Sequence, residues 1–180
     1  MTSLSLRPWQ AADAGALAAA YHGSSDLERQ LGPEAGTADG ARRIIREDLG
    51  WDPHNACNLA LVAGGTAVGN AGISRIDFRH GTAWTYYWLA APVRGKGLAA
   101  RAVATLSGWA LEELQLHRLE LGHRTNNPAS CRVASAAGFA PEGIQRAKLR
   151  YGVDRFDVET HARLATDPAP GLPLIALRLA

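Results

Sequence analysis

Arg94-Gly95-Lys96-Gly97-Leu98-Ala99 is the stretch of this chain best suited to hold an anion. It follows a strand-like run and Pro92, and it opens the longest helical pattern in the sequence. Gly95 and Gly97 let the backbone approach a ligand closely. The first N–H groups of a helix have no internal partner, and the helix dipole adds positive potential there. A pyrophosphate suits such a place, and Arg94 and Lys96 would reinforce it. An ordinary glycine-rich turn is the competing reading of the same residues. Neither common nucleotide fingerprint is present: no G-x-G-x-x-G with an acidic residue about twenty positions on, and no G-K-[ST].

A second place for chemistry is Asn127-Pro128-Ala129-Ser130, at the start of a short helical run stopped by Gly138. A hydroxyl on that first turn either bonds a free backbone N–H or gives a proton to a leaving group. The six histidines show no H-x-x-x-H or clustered spacing, which disfavours a metal. Cys57 and Cys131 form neither C-x-x-C nor a disulfide framework and read as buried, reduced thiols.

The elements that must position these groups alternate between the two periods. Leu4 and Leu6 alternate into a first strand before Pro8, and Asp13 is placed to cap a helix over 14–21. The stretch 22–40, broken at Gly23, Gly32, Pro33 and Gly36, reads as loop with one helical turn at 26–31. An amphipathic helix follows from Thr37 or Asp39, with Ile44, Ile45 and Leu49 inward, ended by Gly50. Runs 58–63, 67–77 and 82–90, separated by Gly64-Gly65 and His80-Gly81, read as an antiparallel meander. Ala99, Val103, Leu106, Ala110 and Leu114 then recur at helical steps. A strand over 118–123, the helix to Ala137, and a hairpin of 142–150 with 153–164 complete the pattern. Residues 1–165 read as one domain. Residues 166–180 read as a proline-rich tail that adds an edge strand or a dimer contact.

Composition narrows the class. With 180 residues, 47% hydrophobic and 20% charged, the chain can bury one substantial core. Its formal charge of +2 lacks the one-sided basicity of a phosphate-neutralising nucleic-acid binder. The first residues carry no basic and apolar leader, and no window is apolar enough to span a bilayer, so a cytoplasmic location is expected.

In these motifs and their order the chain resembles the GNAT acyl-CoA-dependent N-acetyltransferases, specifically the ribosomal-protein-alanine (RimJ/RimL-like) branch. Leu6-Arg7-Pro8 with Asp13 is similar to that branch's opening, and Tyr87-Trp88-Leu89 with 94–99 is similar to its strand and R-x-x-G-x-A loop. Asn127, Ser130, Val133 and Gly138-Phe139 are similar to its N-x-x-S-x-x-V and G-F, and Glu142-Gly143 with 151–157 to its end. The resemblance implies an α+β GNAT fold, with a mixed, mostly antiparallel sheet of about six to seven strands flanked by about four helices. It implies acetyl-CoA as acyl donor, no metal, and acetyl transfer to a primary amine by direct attack. The acceptor is a protein N-terminus or a small-molecule amine. A catalytically silent CoA-binding module is the alternative.

Carried over by position, the resemblance implies that Val93, Arg94, Gly95, Lys96, Gly97, Leu98 and Ala99 hold the pyrophosphate. Leu89 and Ala91 would pair with the pantetheine arm as an added strand would, and Asn127 would face that arm. Ser130 would protonate the leaving thiolate, while backbone N–H groups between splayed strands would meet the oxyanion. The glutamate often found three residues before the family's Tyr-Trp is replaced by Trp84, so the base does not carry over. His123, Glu120, Asp26 and Glu28 are the candidates. His22, Ser25, Asp26, Glu28 and Trp84 are expected to wall the acceptor cleft.

Overall fold

The computed structural model describes residues 3–179. Nine strands form one sheet: β1 (Leu4–Pro8), β2 (Trp51–Asp52), β3 (Ala56–Ala63), β4 (Thr66–Asp77), β5 (Thr82–Leu89), β6 (Arg118–Arg124), β7 (Ala140–Tyr151), β8 (Asp154–Leu164) and β9 (Ala176–Leu177). The helices are α1 (Ala14–His22), α2 (Glu28–Leu31), α3 (Ala38–Glu47), α4 (Leu98–Glu112) and α5 (Pro128–Ala136). The strand order is β7-β8-β6-β5-β4-β3-β1-β9, with β2 paired to β3 outside that path. The sheet exceeds the expected six to seven strands by β2, two residues long with no periodic trace in the sequence, and by β9, a two-residue edge strand from the tail.

Most pairings are antiparallel. The exceptions are β1 with β9 and, at the centre, β5 with β6. The β5–β6 ladder runs only from Thr82↔Arg118 to Trp84↔Glu120. Beyond it β5 pairs with β4 alone, through Leu89↔Gly69, and β6 pairs with β8 alone, through Arg124↔Val158. The two central strands therefore splay, each leaving one edge of backbone N–H and C=O groups turned toward the gap.

Strand alternation divides the core in two. On one face Leu59, Leu61, Ile73 and Leu89 pack against Val103 and Leu106 of α4. On the other, Ala60, Val62 and Trp88 pack against Leu17 of α1 and Ile44 and Ile45 of α3. A polar chain crosses this second layer. Trp9 Nε1 donates to Asn70 Oδ1 (2.8 Å), Asn70 Nδ2 donates to Asn58 Oδ1 (3.1 Å), and Tyr86 donates its hydroxyl to the same oxygen (2.7 Å). Gly72 makes room for it: a Cβ there would lie 2.6 Å from both Asn58 Oδ1 and Tyr86 Cζ.

One local expectation is corrected. Asp13 stands at the start of α1 without capping it. Its carboxylate instead accepts from both Nη atoms of Arg7 (2.7 and 2.8 Å) and from Gln10 N–H (2.9 Å), because residues 11–13 already coil as a 3₁₀ turn. The tail does more than extend an edge. Ile175 is 3% exposed, its N–H donates to Thr105 Oγ1 of α4 (3.0 Å), and Arg101 Nε donates to Pro173 O (2.7 Å). Among the described residues no helix is long and apolar enough to cross a membrane.

Candidate active site

The loop before α4 adopts a shape that side chains oppose. Gly95 and Gly97 have φ of +75° and +71°, and a Cβ on either would meet nothing within 4 Å. Gly97 is the N-cap of α4, in the left-handed region, and the first bond of the helix runs from Arg101 N to Gly97 O. The N–H groups of Leu98, Ala99 and Ala100 are thus free at the helix start. They open into a cleft of about 480 Å³ lined by Leu89, Arg94, Gly95, Gly97, Leu98, Ala99, Asn127 and Ser130, among others.

A second cleft, of about 260 Å³, fills the splay between Trp84–Tyr87 of β5 and Leu121–Arg124 of β6. Asp26, Gln30, Tyr87, Asn127 and Ser130 line both clefts and mark where they join. At that junction Tyr87 donates its hydroxyl to Ser130 Oγ at 3.1 Å. Burial pushes the Tyr87 phenol above its ordinary pKa, while the Ser130 contact opposes the shift. Tyr87 therefore keeps its proton near neutral pH.

The two readings of Ser130 separate in the structure. Asn127 is the N-cap of α5, and its Oδ1 accepts from Ser130 N–H at 3.2 Å. The Ser130 hydroxyl points instead to Tyr87 and both clefts.

Other expected site residues divide. Trp84 lines the splay and Asp26 the junction. Arg94 reaches back from the loop, Nε donating to Leu89 O (2.8 Å) and Nη2 lying 3.0 Å from Asp26 Oδ1. Ala91 N–H is taken by Ser24 Oγ at 2.9 Å. His22 is turned to Gly36 O (2.8 Å) and, with Ser25 and Glu28, does not line either cleft. Val93, Ala91 and Lys96 stand beside the loop cleft without lining it.

Of the two candidate bases on β6, His123 lines the splay and Glu120 does not. Glu120 lies outside both clefts and pairs with Arg118 Nε at 2.8 Å, while Arg118 also bridges to Glu142. His123 lines the splay but is 7% exposed, with Nδ1 on Arg124 O (3.0 Å) and Nε2 on His161 Nε2 (3.0 Å). Sequence reasoning missed Tyr87 as a polar participant, because the alternation that turns it away from Trp84, Tyr86 and Trp88 also fits a core aromatic. It also missed Arg124 and Tyr151 around the splay. The Arg29 and Arg124 guanidinium carbons lie 5.7 and 5.5 Å from the Tyr151 ring centre.

The Acetyltransferase (GNAT) domain family matches residues 3–140. The chain belongs to that family. Over 69 residues this GNAT protein is 41% identical to the probable N-acetyltransferase YjcK of Bacillus subtilis (strain 168), covering 38% of each chain. It is 30% identical over 92 residues to the putative ribosomal N-acetyltransferase YdaF of the same strain, covering 51% of this chain and 50% of that one. These alignments span half or less of the curated relatives. Among solved structures, RimL, a ribosomal L7/L12 alpha-N-protein acetyltransferase in complex with coenzyme A, superposes with a TM-score of 0.82 at 20% identity, covering 91% of this chain and 95% of that one. A ribosomal-protein-S5-alanine acetyltransferase from Vibrio fischeri gives 0.77 at 22% identity, covering 90% and 93%. At such identities the likeness is one of fold, and the fold is that of a GNAT domain.

Proposed function

We propose that this GNAT protein transfers an acetyl group from acetyl-CoA to a primary amine by direct attack. The observation that carries this reading is the meeting of the two clefts at the Tyr87–Ser130 pair. A thioester whose pyrophosphate rests on the N–H groups after Gly95 and Gly97 would run along Leu89 and bring its carbonyl to the splay. An amine entering the splay attacks the carbonyl carbon, the C–S bond breaks, the thiolate takes a proton from Ser130 as Tyr87 resupplies it, and the proton shed by the nitrogen as the amide forms returns to Tyr87. The free backbone edge of β5 beyond Trp84 supplies N–H groups for the oxyanion. Asp26, at the mouth of both clefts, is the carboxylate we assign to accept the ammonium proton. Arg94, now on Leu89 O, would leave that carbonyl to the pantetheine amide.

The likeness to RimL and to YdaF supports a protein N-terminus as acceptor. Arg29, Arg124 and Tyr151 around the splay would favour an acceptor with acidic or carbonyl groups near its amine. A silent CoA-binding module is the second reading, favoured by the absence of any acidic residue on β5. Thiol release from acetyl-CoA, measured against a panel of N-terminal peptides, polyamines and amino acids, separates the two. Turnover with any amine removes the silent module. Stabilisation by CoA without turnover across the panel removes the transferase.

A further inference from the structure

His123 and His161 face each other in a way that two neutral imidazoles do not sustain. His123 Nδ1 lies 3.0 Å from Arg124 O, and His161 Nδ1 lies 3.3 Å from Phe139 O. A carbonyl oxygen only accepts, so each Nδ1 carries its proton, and in a neutral ring the Nε2 then presents a lone pair. Those two lone pairs meet at 3.0 Å, and Glu159 Oε2, another acceptor, lies 3.3 Å from both. Three acceptors thus converge on one point, with both imidazoles nearly fully buried at 7% and 1% exposure. The half-buried Cys131, next to Ser130 on α5, completes the group, and all four ligand atoms lie within 4.8 Å of one another.

We propose that His123, His161, Glu159 and Cys131 form a binding site for a divalent transition metal, zinc in the first instance. Tetrahedral zinc with nitrogen and oxygen ligands at about 2.0–2.1 Å places those ligands about 3.3 Å apart, close to the 3.0, 3.3 and 3.3 Å found here. A backbone carbonyl holding the far nitrogen of each imidazole is the usual support of a metal-bound histidine. Two imidazoles, a thiolate and a carboxylate are a borderline-soft set that suits zinc over magnesium or calcium. The ligands come from three elements: His123 from β6, Glu159 and His161 from one face of β8, and Cys131 from the first turn of α5. A metal there would fasten α5 to the sheet beside the splay and hold Ser130 where Tyr87 meets it. It fills all four positions with protein ligands, which is the pattern of a structural site. The six histidines gave no sign of it in the sequence, because its ligands are brought together by strand pairing and helix docking.

Tag-free protein, stripped with a strong chelator and then offered zinc alone, tests the site without any activity measurement, so a failed amine screen does not bear on it. We expect uptake of about one zinc per chain. His161→Ala and Cys131→Ser should each weaken binding at least about tenfold in competition with a chromophoric chelator. Cobalt(II) in place of zinc should give tetrahedral visible bands and a near-ultraviolet thiolate band that Cys131→Ser removes. If His161→Ala does not fold, Cys131→Ser, at a partly exposed position, decides alone. No uptake by the stripped wild type means that a proton, and not a metal, reconciles the two imidazoles, and overturns the proposal. Unchanged affinity in the variants, or a cobalt adduct without the thiolate band, overturns it equally.

Discussion

Replacing Tyr87 by Phe removes one oxygen atom at the point where the clefts meet, and the structure assigns that oxygen one hydrogen bond, to Ser130 Oγ at 3.1 Å. As a structural bond between neutral groups it contributes about 1 kcal/mol. The Ser130 hydroxyl lines both clefts, so water can replace the lost partner and the cost should fall at the low end of that range. For a chain of this length about 1 kcal/mol moves the melting temperature by roughly 2–4 °C. As part of a proton path to the leaving thiolate the same oxygen is worth far more. A positioned acid contributes about 10²–10⁴ in rate, or roughly 3–5 kcal/mol of barrier. Thiol-release kinetics at saturating acetyl-CoA and a melting curve therefore separate the roles. We expect kcat to fall at least about a hundredfold, with CoA affinity and melting temperature nearly unchanged. Ser130→Ala should give a similar loss, and the double variant little more than either alone, because both groups serve one proton. A Tyr87→Phe protein that retains kcat within about threefold of wild type would refute the proton path.

Gly97→Asp should spare the fold and lose the donor. Its left-handed φ costs an L-residue about 1–2 kcal/mol, offset in part by an acidic group at a helix start, while the carboxylate would repel the pyrophosphate; calorimetric titration with CoA should show no binding, and retained affinity would place the anion elsewhere. Gly72→Ala should destabilise by about 1–3 kcal/mol in urea unfolding, since its Cβ would lie 2.6 Å from Asn58 Oδ1 and Tyr86 Cζ. Asp13 gives an acid-dependent term. Burial alone would push its carboxyl up, but Arg7 and the Gln10 N–H overcome this and hold it below the usual carboxylate range. Stability from Asp13 is therefore fully present above its unfolded pKa of about 4 and is lost as pH falls through its lower folded value. Asp13→Asn should cost about 2 kcal/mol at neutral pH and remove that part of the acid dependence.

The helix-start loop was legible in the sequence because its grammar is local: two glycines, a proline behind and an alanine-rich helix ahead within ten residues or so. The same holds for α3, whose Thr37 Oγ1 does accept from Gly40 N–H at 3.1 Å, as the cap position suggests. Long-range placement was another matter. Alternation set the face of Tyr87 but not its partner, which arrives on α5 from 43 residues away. Glu120 and His123 sit on the expected strand, yet their neighbours Arg118 and His161 decide what they do. His22 turns to Gly36 O within its own loop, a bond no periodic pattern reports.

Transfer itself is followed most directly with acetyl-CoA carrying isotopic carbon in its acetyl group, by mass spectrometry of both protein and amine. Label should pass to the amine as CoA thiol accumulates, with the intact mass of the protein unchanged throughout. Label retained on the protein would contradict direct attack, and label that stays on CoA with every amine offered would contradict the transferase.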